Sequence, residues 1–566
     1  MDFPPTRHAR RSPCLPLLSL AAVLAASPAL AATWQVGPTR TYKTLGAVAG
    51  LLAPGDRVEL DGNATYGGNV TFSRPGTAAQ PITVRGVRVN GKRPVISGGT
   101  NGIEAAGNHY VFEALDITAS TTRCFFHHAD DITVRDSVIH DCPAHGLLGA
   151  DSDAGSLLLE YSEFHHSGAT DQRHQIYMAT DETAYPRSVF RMQHCYVHDG
   201  NGGHNVKSRA ERNEIYGNWI EGAFYQEVEL IGPDGQDENL AREDSDVVGN
   251  VFRKTRASAV ARFGGDGTGQ TNGRYRFAFN TVLVQPNTST VIRLFDGVES
   301  LEASNNVFAA IGGGVVRNVV EEIYASWSSG GRLVAGANNW VAAGSSLVPS
   351  EWTGTITGSD PRFTNAAALD FAPATGSPLL DTALVSALGV PNHPFPSPLA
   401  VPTFLPPNHE AELPGSTRAR SAVGTQDIGA FEAGSGGPVV VVDAGAPVVD
   451  AGSGGGVDAG VRDAGSSGSD AGARDAGTAT TDSGVRDAGS GGDRDAGAAD
   501  SGASSSGDAS APRDAGVPLR DAGPVVEETF DGGGGGGCSM GGRAPGVGLG
   551  ALVAACVAIL RARRRR

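Results

Sequence analysis

The chain has 566 residues, with 79 glycines, 32 prolines and 6% aromatic residues, which argues against a helical bundle or a coiled coil. Its formal net charge of −17 argues against a basic nucleic-acid-binding face, so we expect no nucleic-acid partner. No interior stretch approaches the ~20 apolar residues of a membrane span, which excludes a polytopic membrane protein.

The amino terminus has the features of an export signal. Three arginines precede a mostly apolar run over residues 15–30, and Ala29-Leu30-Ala31 supplies a small-x-small cleavage pattern. We therefore predict a signal peptide over residues 1–31 and an exported protein. The alternative, an uncleaved anchor helix, is disfavoured because Pro16 and Pro28 interrupt the run.

Residues 32–433 form one block that is longer than a single globular core usually grows, and they contain an internal repeat. A motif of a polar residue, a variable residue and Val, Ile or Phe recurs at irregular steps of about 22 to 33 residues. Later copies of the motif begin with Asn218, Asn250, Asn280 and Asn306. Short β-branched strands on stacked coils, with asparagine at one turn position, predict a parallel β-helix with an amide ladder.

The alternation of apolar and polar residues predicts the register of one strand column. Ile176, Val206, Val228 and Val260 align as inward residues on four successive coils. Neighbouring coils are about 4.8 Å apart, so residues at equal positions are in contact.

This register predicts a charged patch on the outer face. Lys207 lies between Tyr177 and Glu229, and two alanines on the next coil leave a gap before Arg293 closes the column. The residues that we expect to point outward here are Tyr177, Asn205, Lys207, Arg209, Glu227, Glu229 and Arg293.

The first and last coils resemble a known superfamily. Residues 54–60 and Pro81-Ile82-Thr83-Val84 at the start, with residues 377–381 and 427–432 at the end, look like segments of the β-helix superfamily that includes pectate lyases. The resemblance spans about Trp34 to Ala433 and implies an all-β, right-handed, single-stranded parallel β-helix. That fold hosts lyases, hydrolases, epimerases and non-catalytic adhesins.

A shorter motif resembles one group of polysaccharide lyases. Lys207-Ser208 followed by Asn213 is similar to the Lys-Ser-x-x-x-Asn stretch of alginate lyases and chondroitinase B-type lyases. The resemblance implies Lys207 as the base and a Ca²⁺ ion that neutralises the uronate. In that family a Glu-x-Glu pair precedes the lysine on its own coil, whereas Glu227-Val228-Glu229 lies one coil later.

The patch contains the groups that β-elimination of a uronic acid polymer needs, namely a base, positive charge and an acid. Lys207 is the candidate base, Arg209 or Arg293 the carboxylate partner, and Tyr177 or His174 the candidate acid. Glu227, Glu229 and Asn205 are the candidate ligands of Ca²⁺. Three alternatives stay open: a non-catalytic glycan-binding or structural surface protein with paired surface charges, a glycoside hydrolase that uses the two glutamates, and an epimerase.

Histidines recur in two columns, His145, His174 and His204 in one and His140, His165 and His198 in the other. We interpret both columns as stacked turn residues, with a transition-metal site as the alternative. His174 and His204 border the Lys207 patch, so they join the catalytic candidates. Cys124 and Cys142 leave room for one disulfide, and we expect a monomer.

The carboxy-terminal part has two predicted segments. Residues 434–537 are rich in Gly, Ala and Asp, with recurring Asp-Ala-Gly triplets, and predict a disordered linker. Residues 538–566, with Cys538, a short apolar helix and terminal arginines, resemble the sorting tails of myxobacterial surface proteins. The resemblance implies processing or lipid attachment at Cys538, export and sorting machinery as partners, and a cell-envelope location. A plain inner-membrane tail anchor is the alternative.

Overall fold

The computed structural model describes residues 31–232, 244–265, 271–323, 325–386 and 388–435. All of them belong to one compact unit. The predicted signal peptide, linker and carboxy-terminal segment, with Cys538, lie outside the described residues except for Ala31, Gly434 and Ser435. No helix in the described ranges is long and apolar enough to cross a membrane.

Three parallel sheets of 12, 10 and 12 strands run along the described chain, and each complete coil contributes one strand to each sheet. Sheet 1 consists of Thr33–Val36, Arg57–Asp61, Ile82–Val87, Tyr110–Glu113, Ile132–Arg135, Leu157–Glu160, Val189–Gln193, Arg212–Tyr216, Asp244–Val248, Arg274–Ala278, Ser300–Ser304 and Val334–Ala337. Sheet 2 consists of Val70–Phe72, Asn101–Ala105, Arg123–His127, His145–Gly149, Ile176–Ala179, Val206–Arg209, Val228–Ile231, Ser258–Gly264, Ser289–Leu294 and Asn318–Glu322. Sheet 3 consists of Thr65–Gly67, Val95–Ser97, Asp116–Thr118, Val138–His140, Glu163–His165, Tyr196–His198, Trp219–Glu221, Val251–Lys254, Thr281–Val284, Val307–Ala310, Trp340–Ala342 and Ile356–Gly358.

The remaining elements lie near the two ends of the described chain. The helix Gly46–Ala49 precedes the first full coil, and the strands Phe363–Asn365 and Asp370–Pro373 pair antiparallel around the 3₁₀ helix Ala366–Ala368. The all-β, right-handed parallel β-helix predicted from the sequence is confirmed.

The interior is a continuous apolar core because inward residues of the three sheets meet along the whole solenoid. Aromatic rings stack within it, as between Phe263 and Tyr275, whose centroids are 4.5 Å apart. Cys124 and Cys142 form a disulfide, and Cys195 is a buried free thiol.

The predicted asparagine ladder is confirmed and extends to Asn339. Each amide nitrogen donates to the side-chain oxygen on the next coil, for example from Asn250 to Asn280 at 3.0 Å. The same oxygen accepts the backbone N–H of Asn250 at 2.9 Å. The ladder therefore satisfies buried backbone and side-chain groups of successive coils together.

After the last coils the chain returns along the solenoid. The ring of Phe395 packs against the guanidinium groups of Arg212 and Arg276, and the Thr417 hydroxyl donates to the Tyr161 hydroxyl at 3.1 Å. Residues 427–432 thus pack on earlier coils, instead of forming the closing coil that the sequence suggests.

Candidate active site

A row of outward side chains crosses sheet 2 at one register position. Tyr177 pairs with Lys207, Lys207 with Glu229, Glu229 with Arg262, and Arg262 with Arg293 on successive coils. The predicted contact of Lys207 with Tyr177 and Glu229 is therefore confirmed.

The predicted alignment of Val228 with Val260 is wrong by one residue. Val228 pairs with Ala261, and the buried strand takes in both Ala259 and Val260. As a consequence, Arg262 occupies the position beside Glu229 where the sequence register leaves an alanine gap. The two adjacent buried residues interrupt the alternation of inward and outward side chains in this strand. The sequence pattern therefore did not place Arg262 in the outward row.

Lys207 sits between an aromatic ring and a carboxylate. Its ammonium lies 5.1 Å from the centroid of the Tyr177 ring and 3.4 Å from Glu229 Oε2, and its side chain is 14% exposed. The group is thus held in place and is reachable from the outer face of the sheet.

Glu229 is surrounded by two cationic side chains and an imidazole. Its Oε1 accepts from Arg262 Nη1 at 3.0 Å, and its Oε2 lies 3.0 Å from His204 Nε2 and 3.4 Å from Lys207 Nζ. Burial alone raises the pKa of this carboxyl, but His204, Lys207 and Arg262 together hold it well below its usual range. Glu229 is therefore held as an ionised carboxylate by the charged and N–H groups around it.

Arg209 orients the Tyr177 hydroxyl. Its Nε donates to the Tyr177 oxygen at 3.0 Å, and its Nη1 donates to the Gly232 carbonyl at 2.7 Å. Because the phenol oxygen accepts this bond, the phenol proton points away from Arg209 and is available to another acceptor.

The column of His145, His174 and His204 is confirmed as a stack. The rings of His174 and His204 are 4.9 Å apart and 21° from parallel. His145 Nδ1 accepts the backbone N–H of His174 at 3.2 Å, and His174 Nδ1 accepts that of His204 at 3.0 Å. His204 Nδ1 accepts from the backbone of Gln226, which leaves its Nε2–H for Glu229.

Burial keeps these imidazoles neutral. It lowers the pKa of His145 to about 3 and lowers the pKa values of His174 and His204 as well. His174 is 2% exposed and His204 is 7% exposed. Both side chains are therefore largely closed to a ligand, and Tyr177 remains the more accessible candidate acid.

The predicted outward orientation of Asn205 and Glu227 is wrong. Both side chains are completely buried, and Asn205 Nδ2 donates to Glu227 Oε2 at 2.7 Å. Lys254, also completely buried, lies 3.4 Å from Glu227 Oε1 and donates to the Ala223 carbonyl at 2.9 Å. An inward glutamate is tolerated here because the lysine that ends the sheet 3 strand Val251–Lys254 compensates its charge.

These contacts do not fit a calcium ion shared by Glu227 and Glu229. Calcium takes six to eight oxygen ligands, yet both carboxylates face cationic side chains and neither is more than 2% exposed. The calcium requirement stays a prediction of the sequence, and no step below uses the ion. The same burial argues against Glu227 as one of a hydrolase carboxylate pair.

The far end of the row combines arginines with an aromatic ring. The guanidinium carbons of Arg262 and Arg293 lie 3.9 and 5.1 Å from the ring centroid of Phe295. Arg293 Nε is 3.2 Å from Glu321 Oε2, and the Arg293 side chain is 34% exposed. Arg293 therefore takes its predicted place in the column, one coil beyond Arg262.

The second histidine column, on sheet 3, is also a stack. The rings of His140 and His165 are 4.8 Å apart, and those of His165 and His198 are 5.1 Å apart. This column lies on a different sheet from Lys207, so it takes no part in the candidate active site.

Comparison of the sequence with protein-family models and with curated proteins finds no match. Among solved structures, a pectate lyase (Pel9A) is 13% identical, with a TM-score of 0.38, over 71% of this chain and 96% of its own. A PL6 family polysaccharide lyase from Pseudopedobacter saltans is 14% identical, with a TM-score of 0.36, over 55% of this chain and 89% of its own. XylC in complex with xylose is 8% identical, with a TM-score of 0.40, over 59% of this chain and 87% of its own.

Proposed function

We propose that this protein is a polysaccharide lyase that binds an acidic glycan along the outer face of sheet 2 and cleaves it by β-elimination. The observation that carries the proposal is the in-register row of Lys207, Arg262 and Arg293 beside the Arg209–Tyr177 pair. The chain as a whole has a net charge of −17, so a polyanion requires a local concentration of cations of this kind.

The row supplies the three groups of the reaction. Lys207 gives the proton of its resting ammonium to solvent and then, as the free amine, takes the C5 proton of a uronate. The C–H electron pair forms the C4–C5 double bond as the C4–O bond breaks, and the Tyr177 hydroxyl gives its proton to the departing oxygen. Arg262 stabilises the negative charge that develops on the uronate carboxylate, while buried Arg209 holds the Tyr177 oxygen. Glu229 stabilises the ammonium that forms on Lys207.

We also propose that the protein is exported and acts as a monomer at the cell surface. The predicted signal peptide, the linker over residues 434–537 and the sorting segment with Cys538 support this part of the proposal. Export and sorting machinery are the partners that these segments imply.

The test is an absorbance assay on the purified full chain. Elimination creates an unsaturated uronate that absorbs in the ultraviolet, so polygalacturonate, alginate and chondroitin sulfate are each incubated with the protein, with Ca²⁺ or with a chelator. We expect absorbance to rise on one of these polymers, and Lys207→Ala to abolish the rise. Lys92→Ala is the matched control, because Lys92 is an exposed lysine on a turn outside sheet 2.

A non-catalytic glycan-binding protein is the second candidate. It is favoured by the ion pairs Lys207–Glu229 and Arg293–Glu321, which occupy the cations in the absence of glycan. Binding of a polyuronide that Lys207→Ala weakens, with no absorbance change on any polymer, would select this function over the lyase.

A further inference from the structure

Three dipeptides form an array at the end of sheet 3 strands. His140-Asp141, His165-His166 and His198-Asp199 occupy the same position on successive coils. The second residue of each dipeptide has a positive φ, of 54°, 51° and 48° respectively. The left-handed turn brings each histidine and its successor to the same outer edge, where nitrogen and carboxylate donors from neighbouring coils meet.

His140 lies between two carboxylates. Its Nε2 is 3.0 Å from Asp116 Oδ1, its Nδ1 is 2.6 Å from Asp141 Oδ2, and the Thr118 hydroxyl is 3.4 Å from the same Nδ1. A neutral imidazole carries a single N–H. With that proton directed to Asp116, the Nδ1 lone pair and the Asp141 carboxylate face each other as two donors that a bound cation can bridge.

On the next coil, the histidine faces a second imidazole nitrogen instead of a carboxylate. His165 Nδ1 lies 2.7 Å from His166 Nδ1, and the His165 ring stacks on His140 with 18° between the planes. Donor atoms of His140, Asp141 and His165 all lie within 4.8 Å of one another. His166 Nδ1 lies 2.7 Å from His165 Nδ1 but does not belong to that group of three.

The contrast with sheet 2 shows that stacking alone does not require this arrangement. There, the Nδ1 atoms of His145, His174 and His204 each accept a backbone N–H from the next coil. In the sheet 3 array, the Nδ1 atoms of His140 and His165 face side-chain ligand atoms instead.

We propose that His140, Asp141 and His165 bind one divalent transition-metal ion of the Zn²⁺ class, with His166 or water as the fourth ligand. Two imidazoles and a carboxylate form a donor set that such ions prefer over Mg²⁺ or Ca²⁺. Asp116 acts as the outer partner that fixes the His140 ring by accepting its Nε2–H. The Asp141 side chain is 56% exposed and is free to adjust its distance to the ion.

The test measures Zn²⁺ binding to the full chain, prepared without a histidine tag, by equilibrium dialysis with elemental analysis. We expect the wild type to bind one Zn²⁺ per chain. In His140→Ala and in His165→Ala we expect the affinity for this ion to be at least ten-fold lower. His109→Ala is the matched control, because the His109–Asp131 pair is 2.7 Å apart, against 2.6 Å for His140–Asp141, and is similarly exposed, while no histidine of the described chain stacks on His109.

Electron paramagnetic resonance of the Cu²⁺-loaded protein gives a second measurement. Hyperfine coupling to at least two nitrogens is expected in the wild type, and to fewer in His165→Ala. Equal Zn²⁺ binding by wild type and both variants would overturn the proposal, as would an equal loss in His109→Ala. Circular dichroism of each variant shows whether a loss of binding reflects unfolding, and a folded variant that still binds with wild-type affinity refutes the site.

Discussion

Glu229 Oε2 lies 3.4 Å from the Nζ of Lys207 on the preceding coil. The carboxylate is buried, whereas the ammonium can be reached from outside, so the pair presents its cation to a ligand. A polyanion that approaches this face therefore meets Lys207 first, and Glu229 holds the side chain in place from behind.

The charge and the proton-transfer role of Lys207 can be separated by Lys207→Arg. Arginine keeps the positive charge but does not deprotonate, so we expect kcat to fall by about 10²–10⁴-fold while KM changes little. Steady-state kinetics of the absorbance assay measure both constants, with Lys92→Arg as the control. A variant that keeps near-wild-type kcat would show that Lys207 is not the base.

Arg262 is expected to act in substrate binding. Arg262→Ala removes a cation beside Glu229 and over Phe295, so we expect kcat/KM to fall roughly ten-fold or more, the size of a lost charge-assisted contact. Arg191→Ala is a matched control, because Arg191 also pairs with a glutamate, Glu214, and lies 5.8 Å from an aromatic ring, but on sheet 1. Equal effects of the two substitutions would remove Arg262 from the site.

The asparagine ladder is expected to contribute strongly to stability. Asn250→Ala removes bonds to Asn218, Asn280 and the Ile215 carbonyl and leaves buried groups unpaired. Each unpaired group costs about 1–3 kcal/mol, so we expect several kcal/mol of lost unfolding free energy. Denaturant unfolding measures it, with Asn101→Ala, a half-buried strand residue outside the ladder, as the control. A loss below 1 kcal/mol would contradict this account.

Acid is expected to destabilise the solenoid through its buried histidines. Burial lowers the pKa of completely buried His127 to about 4, from about 6.5 in the unfolded chain. The unfolded state therefore binds the extra proton, and stability is complete above pH 6.5 and falls as pH drops towards 4. His127 accounts for about 3 kcal/mol of that fall at 1.36 kcal/mol per pKa unit.

The measurement for this prediction is the unfolding free energy of wild type and His127→Gln between pH 7 and pH 4. The variant is expected to lose less stability over this range, since glutamine keeps a donor for the Gly155 carbonyl but does not titrate. His109→Gln, at a more exposed imidazole, is the control. Parallel pH profiles for wild type and His127→Gln would show that His127 is not a source of the acid sensitivity.

The sequence alone determined the class of fold and one central contact. A β-helix repeats a local pattern, so the recurring asparagines predicted the ladder, and the alternation around Val206 and Val228 placed Lys207 beside Glu229. Those inferences needed only the spacing of neighbouring coils.

The tertiary structure decided which polar residues face inward and how the next strand is aligned. A buried carboxylate is stable only with a partner, and the sequence around Asn205 and Glu227 shows none, so both residues were predicted to point outward. The partner of Glu227 is Lys254, which lies 27 residues further along the chain. Adjacent buried residues, Ala259 and Val260, shifted the register and brought Arg262 to Glu229. Such choices depend on charge compensation and packing between separate coils, which no local periodicity contains.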